Sequence, residues 1–289
     1  MSLLLQLLVN GVALGGLYAL VAVGFALIYG STRVFHFAHG SAYLLAAYSY
    51  YWALAVAGTA WPIALVAATV VATLFGLAVE RWVYRPMRGG RQSFLTVFVA
   101  SFGVFVAVEN AVLLAFGSRF YTLPSSLSRV FELGPVVVSP VDLLSIAGSA
   151  VLLILLHLFL TRTGTGLALR AMADNPELLN GVGLDRNRYA RIAFALGSAL
   201  SAPAAVLASY VAGLTPGMGS SAMLIALAAT IVGGVGSLAG AALGALLLGV
   251  AENVGIWRLP ANWREAIAFA VLLVFLLVRP SGVLGAARR

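Results

Sequence analysis

From Ala64 to Val79 the chain carries no charged side chain and is apolar on every side, and comparable runs recur along its length. A backbone crossing lipid must satisfy its N–H and C=O groups internally, so such runs fold as helices or as strands of a closed barrel. Barrel strands alternate apolar and polar residues, and these runs do not. The whole chain is 62% hydrophobic with a mean hydropathy of +1.04, whereas soluble domains are about 45–50% apolar. The expectation is an all-α, polytopic transmembrane helical bundle forming a single membrane domain over 1–289, with no room for a soluble catalytic domain.

Charge is sparse and one-sided. Charged residues make up 9% of the chain and the formal net charge is +8, yet the sequence has no lysine. A Walker A loop needs a lysine to reach the phosphates, so the chain is not itself a standard P-loop ATPase. Absence of cysteine excludes disulfides, thiolate metal sites and cysteine nucleophiles. The arginines cluster between spans and at the carboxyl end, which is the positive-inside pattern rather than a nucleic-acid signal.

In chain order, Leu3 to Tyr29 has no basic residue before it and reads as a retained span rather than a signal peptide. Ser41 to Gly58 and Trp61 to Arg81 follow, and Arg81, Arg85, Arg88 and Arg91 mark the first basic, cytoplasmic loop. Phe94 to Phe116, Val141 to Leu160, Ile192 to Ala212, Ser220 to Val232, Ala241 to Val254 and Trp263 to Val278 are the remaining apolar segments, with Pro203 as an expected kink. Counting all of them puts the arginine tail in the cytoplasm after nine crossings; eight is the rival count.

Residues 162–191 are unusually charged for this chain, holding Arg162, Arg170, Asp174, Glu177, Asp185, Arg186, Arg188 and Arg191 between two spans. Leu167 to Ala173 favours a helix. Asn175-Pro176-Glu177 offers a cap followed by proline at a first helical position, and Leu178 and Leu179 give a second short helix an apolar edge before Gly181 and Gly183. Two short helices outside the membrane suggest a docking surface; a helix lying in the headgroups is the alternative. Glycine-marked breaks around Ser31 to Gly40 and Gly233 to Gly240 hint at a weak internal repeat with discontinuous helices lining a pathway, against chance similarity.

Several segments then resemble one family over about Leu8 to Leu284: Asn10 to Leu20 (NGVALGGLYAL), Phe37-Ala38-His39-Gly40, Glu80 to Pro86 (ERWVYRP), Thr165 to Ala171 (TGLALRA) with Asn180 to Gly183 (NGVG), Gly233 to Ser237 (GGVGS) and Arg279 to Gly282 (RPSG). Together they resemble the LivH-type permease subunits of branched-chain amino acid ABC importers. The resemblance implies a cytoplasmic coupling helix within 162–191, with Leu167, Arg170, Ala171, Asp174, Glu177, Leu178 and Gly183 meeting an ATPase. It implies translocation-path candidates at Phe35, His36, Phe37, His39, Gly233, Gly234, Gly236 and Ser237.

The implied partners are a second, LivM-type permease, two ATPase subunits that bind ATP and Mg, a periplasmic or lipid-tethered binding protein, and lipid. No cofactor belongs to this chain, no catalysis is expected of it, and its place is the bacterial inner membrane with a cytoplasmic carboxyl end. Similar permeases carry urea, short amides or aromatic acids.

His36 stands where asparagine is more usual in that family. It can touch substrate, cap a helix end or bond a backbone carbonyl at the break. His36 and His39 alone do not make a metal site, since no third ligand is placed. Glu109 and Glu252 sit toward span ends, where pairing with Arg119 or Arg258 competes with a functional role. Glu80 reads as an anchor for its helix or the basic loop. A proton-coupled secondary transporter would want a carboxylate at mid-depth, and an intramembrane enzyme would need a nucleophile and base in register; neither is evident.

Overall fold

The computed structural model describes residues 2–88, 93–123, 131–133, 136–175, 179, 181, 183–279 and 281–284. Ten helices carry the fold among them: α1 Ser2–Thr32, α2 His39–Tyr51, α3 Trp61–Val79, α4 Phe94–Phe116, α5 Pro140–Arg162, α6 Gly164–Asp174, α7 Arg186–Ala212, α8 Met218–Gly233, α9 Leu238–Gly255 and α10 Arg264–Val278. Two π-helical stretches, Trp52–Val56 and Glu80–Tyr84, prolong α2 and α3. An antiparallel hairpin of β1 (Phe131–Leu133) and β2 (Val136–Val138) departs from the all-helical expectation. The Gln6 side chain pins β2 to α1, donating to the Val137 carbonyl at 2.8 Å and accepting from its N–H at 2.7 Å.

Among the described residues six helices are long and apolar enough to cross a membrane: α1, α3 with its continuation, α4, α5, α7 and α9. They differ in what surrounds them. The apolar window of α1 is 83% buried within the chain, that of α4 only 17%. Helix α1 is therefore the axis of the bundle, packed by α5, α7, α8 and α9, while α3, α4 and α5 turn apolar faces outward to lipid or another subunit. Small residues let the backbones close up where apolar area alone gives little drive to associate in lipid. A Cβ on Gly40 of α2 would lie 2.5 Å from the Gly219 carbonyl oxygen of α8, and one on Gly219 would lie 2.7 Å from the Gly40 oxygen.

Charge sorts the two ends of the bundle. Arg33, Arg81, Arg85, Arg88, Arg162, Arg170, Arg186, Arg188, Arg191 and Arg279 lie at one end, here the basic end; Arg119, Arg258 and Arg264 lie at the other. Ser139 caps α5 in a reciprocal box with Asp142, and Ser93, Thr163, Asp185 and Ser237 cap α4, α6, α7 and α9. Pro203 is accommodated inside α7.

Candidate functional site

Helix α6 is placed by its cap and by one close approach. The Thr163 hydroxyl accepts the Gly166 N–H at 3.0 Å, and Gly166 lies against the backbone of Phe159 and Leu160, so the chain turns sharply out of α5. From there α6 is two-faced. Ala168, Leu169 and Met172 are buried in the bundle core, whereas Leu167, Arg170, Ala171 and Asp174 are exposed. Positions i, i+3, i+4 and i+7 share one side of a helix, so those four residues form a single outward stripe.

The apolar residues of this loop divide. Leu167 is 60% exposed, but Met172 and Leu179 point into the core, because an amphipathic helix in water covers its apolar side with the nearest hydrophobic surface. Gly183 is exposed with φ +76° at the return toward α7. Glu177 and Leu178 lie outside the described residues.

The stripe borders a cleft of about 450 Å³ at the basic end, shared by Leu167, Arg170 and Asp174 with Ser31 of α1 and Gly236 of the α8–α9 turn. That turn is tight. Gly234 and Gly236 take φ +109° and +98°, and a Cβ on Gly233 would fall on the Gly240 backbone. Ser237 closes it by accepting the Gly240 N–H at 3.0 Å. The chain after α10 locks onto the same place, with the Val283 and Leu284 N–H groups donating to the Val232 and Gly233 carbonyls, each at 2.9 Å.

Phe35, His36, Phe37 and His39 stand elsewhere. After Arg33 the chain turns back into the bundle instead of leaving it. The His39 Nε2 pairs with the Val21 carbonyl at 3.2 Å, and Val21 stands about 16 Å before the end of α1 at the ~1.5 Å rise per residue. Helix α2 thus begins at depth. His36 is fully buried; its Nδ1 pairs with the Tyr84 hydroxyl at 2.9 Å and its ring meets Phe194 edge-on. Phe35 and Phe37 pack edgewise or tilted against Phe98 and, respectively, Phe94 and Phe102 of α4. The eight path candidates therefore form two groups, and only the glycine turn joins the α6 stripe. Among the described residues no His, Cys, Asp or Glu cluster could hold a metal ion.

Glu80 anchors the basic loop as expected, and Glu252 is also held, each through partners not foreseen. Glu80, fully buried at the end of α3, pairs with Arg88 at 2.8 Å, and Arg88 also donates to Asn187 on the first turn of α7 at 2.9 Å. Burial pulls the Arg88 guanidinium down from its ordinary value, and the Glu80 carboxylate beside it opposes this. Glu80 thus anchors the basic loop and ties it to α7. Glu252 pairs with neither Arg119 nor Arg258: it accepts from the Tyr18 hydroxyl of α1 at 2.9 Å, while Arg258 lies over the Trp257 ring. Glu109 makes no ion pair among the described residues.

Residues 7–276 match the family described as branched-chain amino acid transport system, permease component. The high-affinity branched-chain amino acid transport system permease protein BraD of Pseudomonas aeruginosa is 36% identical over 97% of this chain and 95% of its own length. The permease protein LivH of the corresponding high-affinity system of Escherichia coli K12 is 31% identical over the same shares. The solved PsaBC from Streptococcus pneumoniae in complex with Fab overlays with a TM-score of 0.55 at 13% identity, covering 97% of this chain and 93% of that one, a likeness of fold. The chain belongs to the branched-chain amino acid transport permease family.

Proposed function

We propose that this chain is one half of the permease pair of an ABC importer for branched-chain or other hydrophobic amino acids. Similarity to two permeases of high-affinity branched-chain amino acid systems over 97% of the chain carries this reading. ATP and Mg bind in two partner ATPase subunits, a LivM-type permease completes the pair, and a binding protein delivers the amino acid in the bacterial inner membrane. The basic end faces the cytoplasm, in keeping with the arginine asymmetry, and α2, α8 and α10 cross besides the six long helices, giving nine crossings. The chain makes no covalent chemistry.

In this reading the α6 stripe of Leu167, Arg170, Ala171 and Asp174 docks in a groove of the ATPase, with Glu177, Leu178 and Gly183 continuing the surface. Gly233, Gly234, Gly236 and Ser237 lie beside that contact, and Phe35, His36, Phe37 and His39 lie deeper, where movement of α6 reaches them through Arg33. The Arg33 guanidinium donates to the Ala173 carbonyl of α6 at 3.0 Å.

The test is made on the purified complex. Leu167→Asp puts a carboxylate on the exposed stripe and should cost about 2 kcal/mol of docking, the scale of an interface anchor. The expected result is loss of ATPase co-purification and of ligand-stimulated hydrolysis with normal membrane insertion. A helix lying in the headgroups predicts weakened insertion with hydrolysis per assembled complex intact. Since the chain has no cysteine, single cysteines replacing Asp174 and Arg258 report the two sides cleanly; labelling of position 174 from outside would reverse the orientation.

A further inference from the structure

At the end of the bundle opposite the basic end, a cavity of about 400 Å³ opens between α1, α7, α8 and α10, with Glu252 of α9 in its wall. Its volume is within the ~300–1,000 Å³ range of small-molecule sites. Glu252 is 1% exposed. One carboxylate oxygen, Oε2, accepts from Tyr18, and the other, Oε1, has no hydrogen-bond partner among the described residues. A carboxylate accepts at about four lone-pair sites, and a buried one left short of partners is costly. Glu265, on the same wall, is already engaged by the Ser221 hydroxyl at 2.8 Å. Arg264 also lines the cavity, is exposed, and forms no ion pair among the described residues. Leu14, Leu17, Val21 and Ile225 supply apolar wall to the same cavity.

The geometry points to a head-group site for a zwitterionic α-amino acid, with the ammonium on Glu252 and the carboxylate on Arg264. The inference rests on the functional reading above and deepens it, since it names the chain's own recognition of the cargo. An ammonium supplies the donors that Glu252 Oε1 lacks, and a guanidinium suits a carboxylate through paired N–H groups. The apolar wall takes an aliphatic side chain without a polar partner. Tyr18 holds the other carboxylate oxygen and Oε1 is buried in this conformation, so the ammonium reaches it as neighbouring side chains, Tyr18 among them, shift. A neutral amide such as urea would leave both charges unmatched.

The alternative is that Glu252 only ties α9 to α1 through Tyr18. Two substitutions separate these roles: Glu252→Gln keeps an acceptor for Tyr18 and removes the charge, whereas Tyr18→Phe removes the bond and keeps the charge. The complete transporter in proteoliposomes, with its binding protein, is given radiolabelled leucine, and import per ATP hydrolysed is measured. Glu252→Gln is expected to lower that ratio roughly tenfold or more, the scale of a lost charged hydrogen bond, with Tyr18→Phe affected clearly less. Arg264→Gln, at an exposed position, is expected to lower it as well and decides the matter if Glu252→Gln fails to assemble. Wild-type coupling in Glu252→Gln, or a larger loss in Tyr18→Phe, overturns the site while leaving the importer reading intact. If the wild-type complex imports another solute and no amino acid, the functional reading fails and the site with it.

Discussion

The two breaks in the apolar pattern, 33–38 and 234–237, both have glycines beside them, yet the chain does opposite things at each. At the second it reverses at the basic end of the bundle, and the turn is held by backbone: Gly233 against Gly240, two positive-φ glycines, and the Val283 and Leu284 amides. At the first it folds inward to the depth of Val21, and side chains hold it: His36 on Tyr84, His39 on the Val21 carbonyl, Ser101 accepting the Ala38 N–H at 3.0 Å. A reversal at a helix end needs only room and permissive dihedrals. A non-helical segment at depth has backbone groups that lipid cannot satisfy, so it must bring polar partners from other helices.

The sharpest way to break this comparison is to fill the backbone contact. Leucine at Gly233 meets the Gly240 main chain, which cannot yield as a side chain can. The expected cost is about 3 kcal/mol or more, the upper end for overpacking, seen as loss of monodisperse protein and of uptake. Alanine at Gly233 should already be damaging. Alanine at Gly236, where a Cβ meets open space, carries only the dihedral penalty of about 1–2 kcal/mol. Equal tolerance at both positions would mean that the turn is not held by contact.

Next in size is the side-chain anchor. Tyr84→Phe leaves the buried His36 Nδ1 without its partner, at an expected cost of about 1–3 kcal/mol, read as a lowered melting temperature in detergent. Retained stability would show that the His36–Tyr84 bond does not hold the inward segment, leaving that to aromatic packing and to the His39 and Ser101 bonds. The same substitution has no counterpart at 234–237, where among the described residues the turn meets the distant carboxyl-terminal chain through main-chain bonds from the Val283 and Leu284 N–H groups.

What could be read beforehand follows from this difference. The apolar segments, the glycine turn and the exposed α6 residues depend on runs, spacing and dihedral preference, all local properties of the chain. Leu167, Arg170, Ala171 and Asp174 came as a group from the family resemblance, and helical spacing explains why they share one face once α6 forms. The depth of His36 was not legible, because its partner Tyr84 is 48 positions away, nor was the Tyr18–Glu252 bond, which spans 234. The burial of Met172 and Leu179 was not legible either, because it is decided by the core they meet. The π-helical stretch Glu80–Tyr84, which carries both Glu80 and Tyr84, has no residue pattern that announces it.

The smallest expected effect sharpens the comparison most, because it lies where the inward segment meets α6. Arg33 has φ +58°, the one non-glycine residue with positive φ among those described, and its guanidinium holds the Ala173 carbonyl. Two properties are thus joined in one residue: a strained backbone and a bond to α6. Arg33→Ala keeps the strain and loses the bond, whereas Arg33→Gly loses both. The glycine variant should therefore be more stable than the alanine variant by about 1 kcal/mol, the left-handed penalty of a side chain. Both should weaken ligand-stimulated hydrolysis to the same degree if the bond carries motion from α6. Equal melting of the two variants would show that the backbone is unstrained, and a coupling defect in alanine alone would assign transmission to backbone geometry instead of the guanidinium.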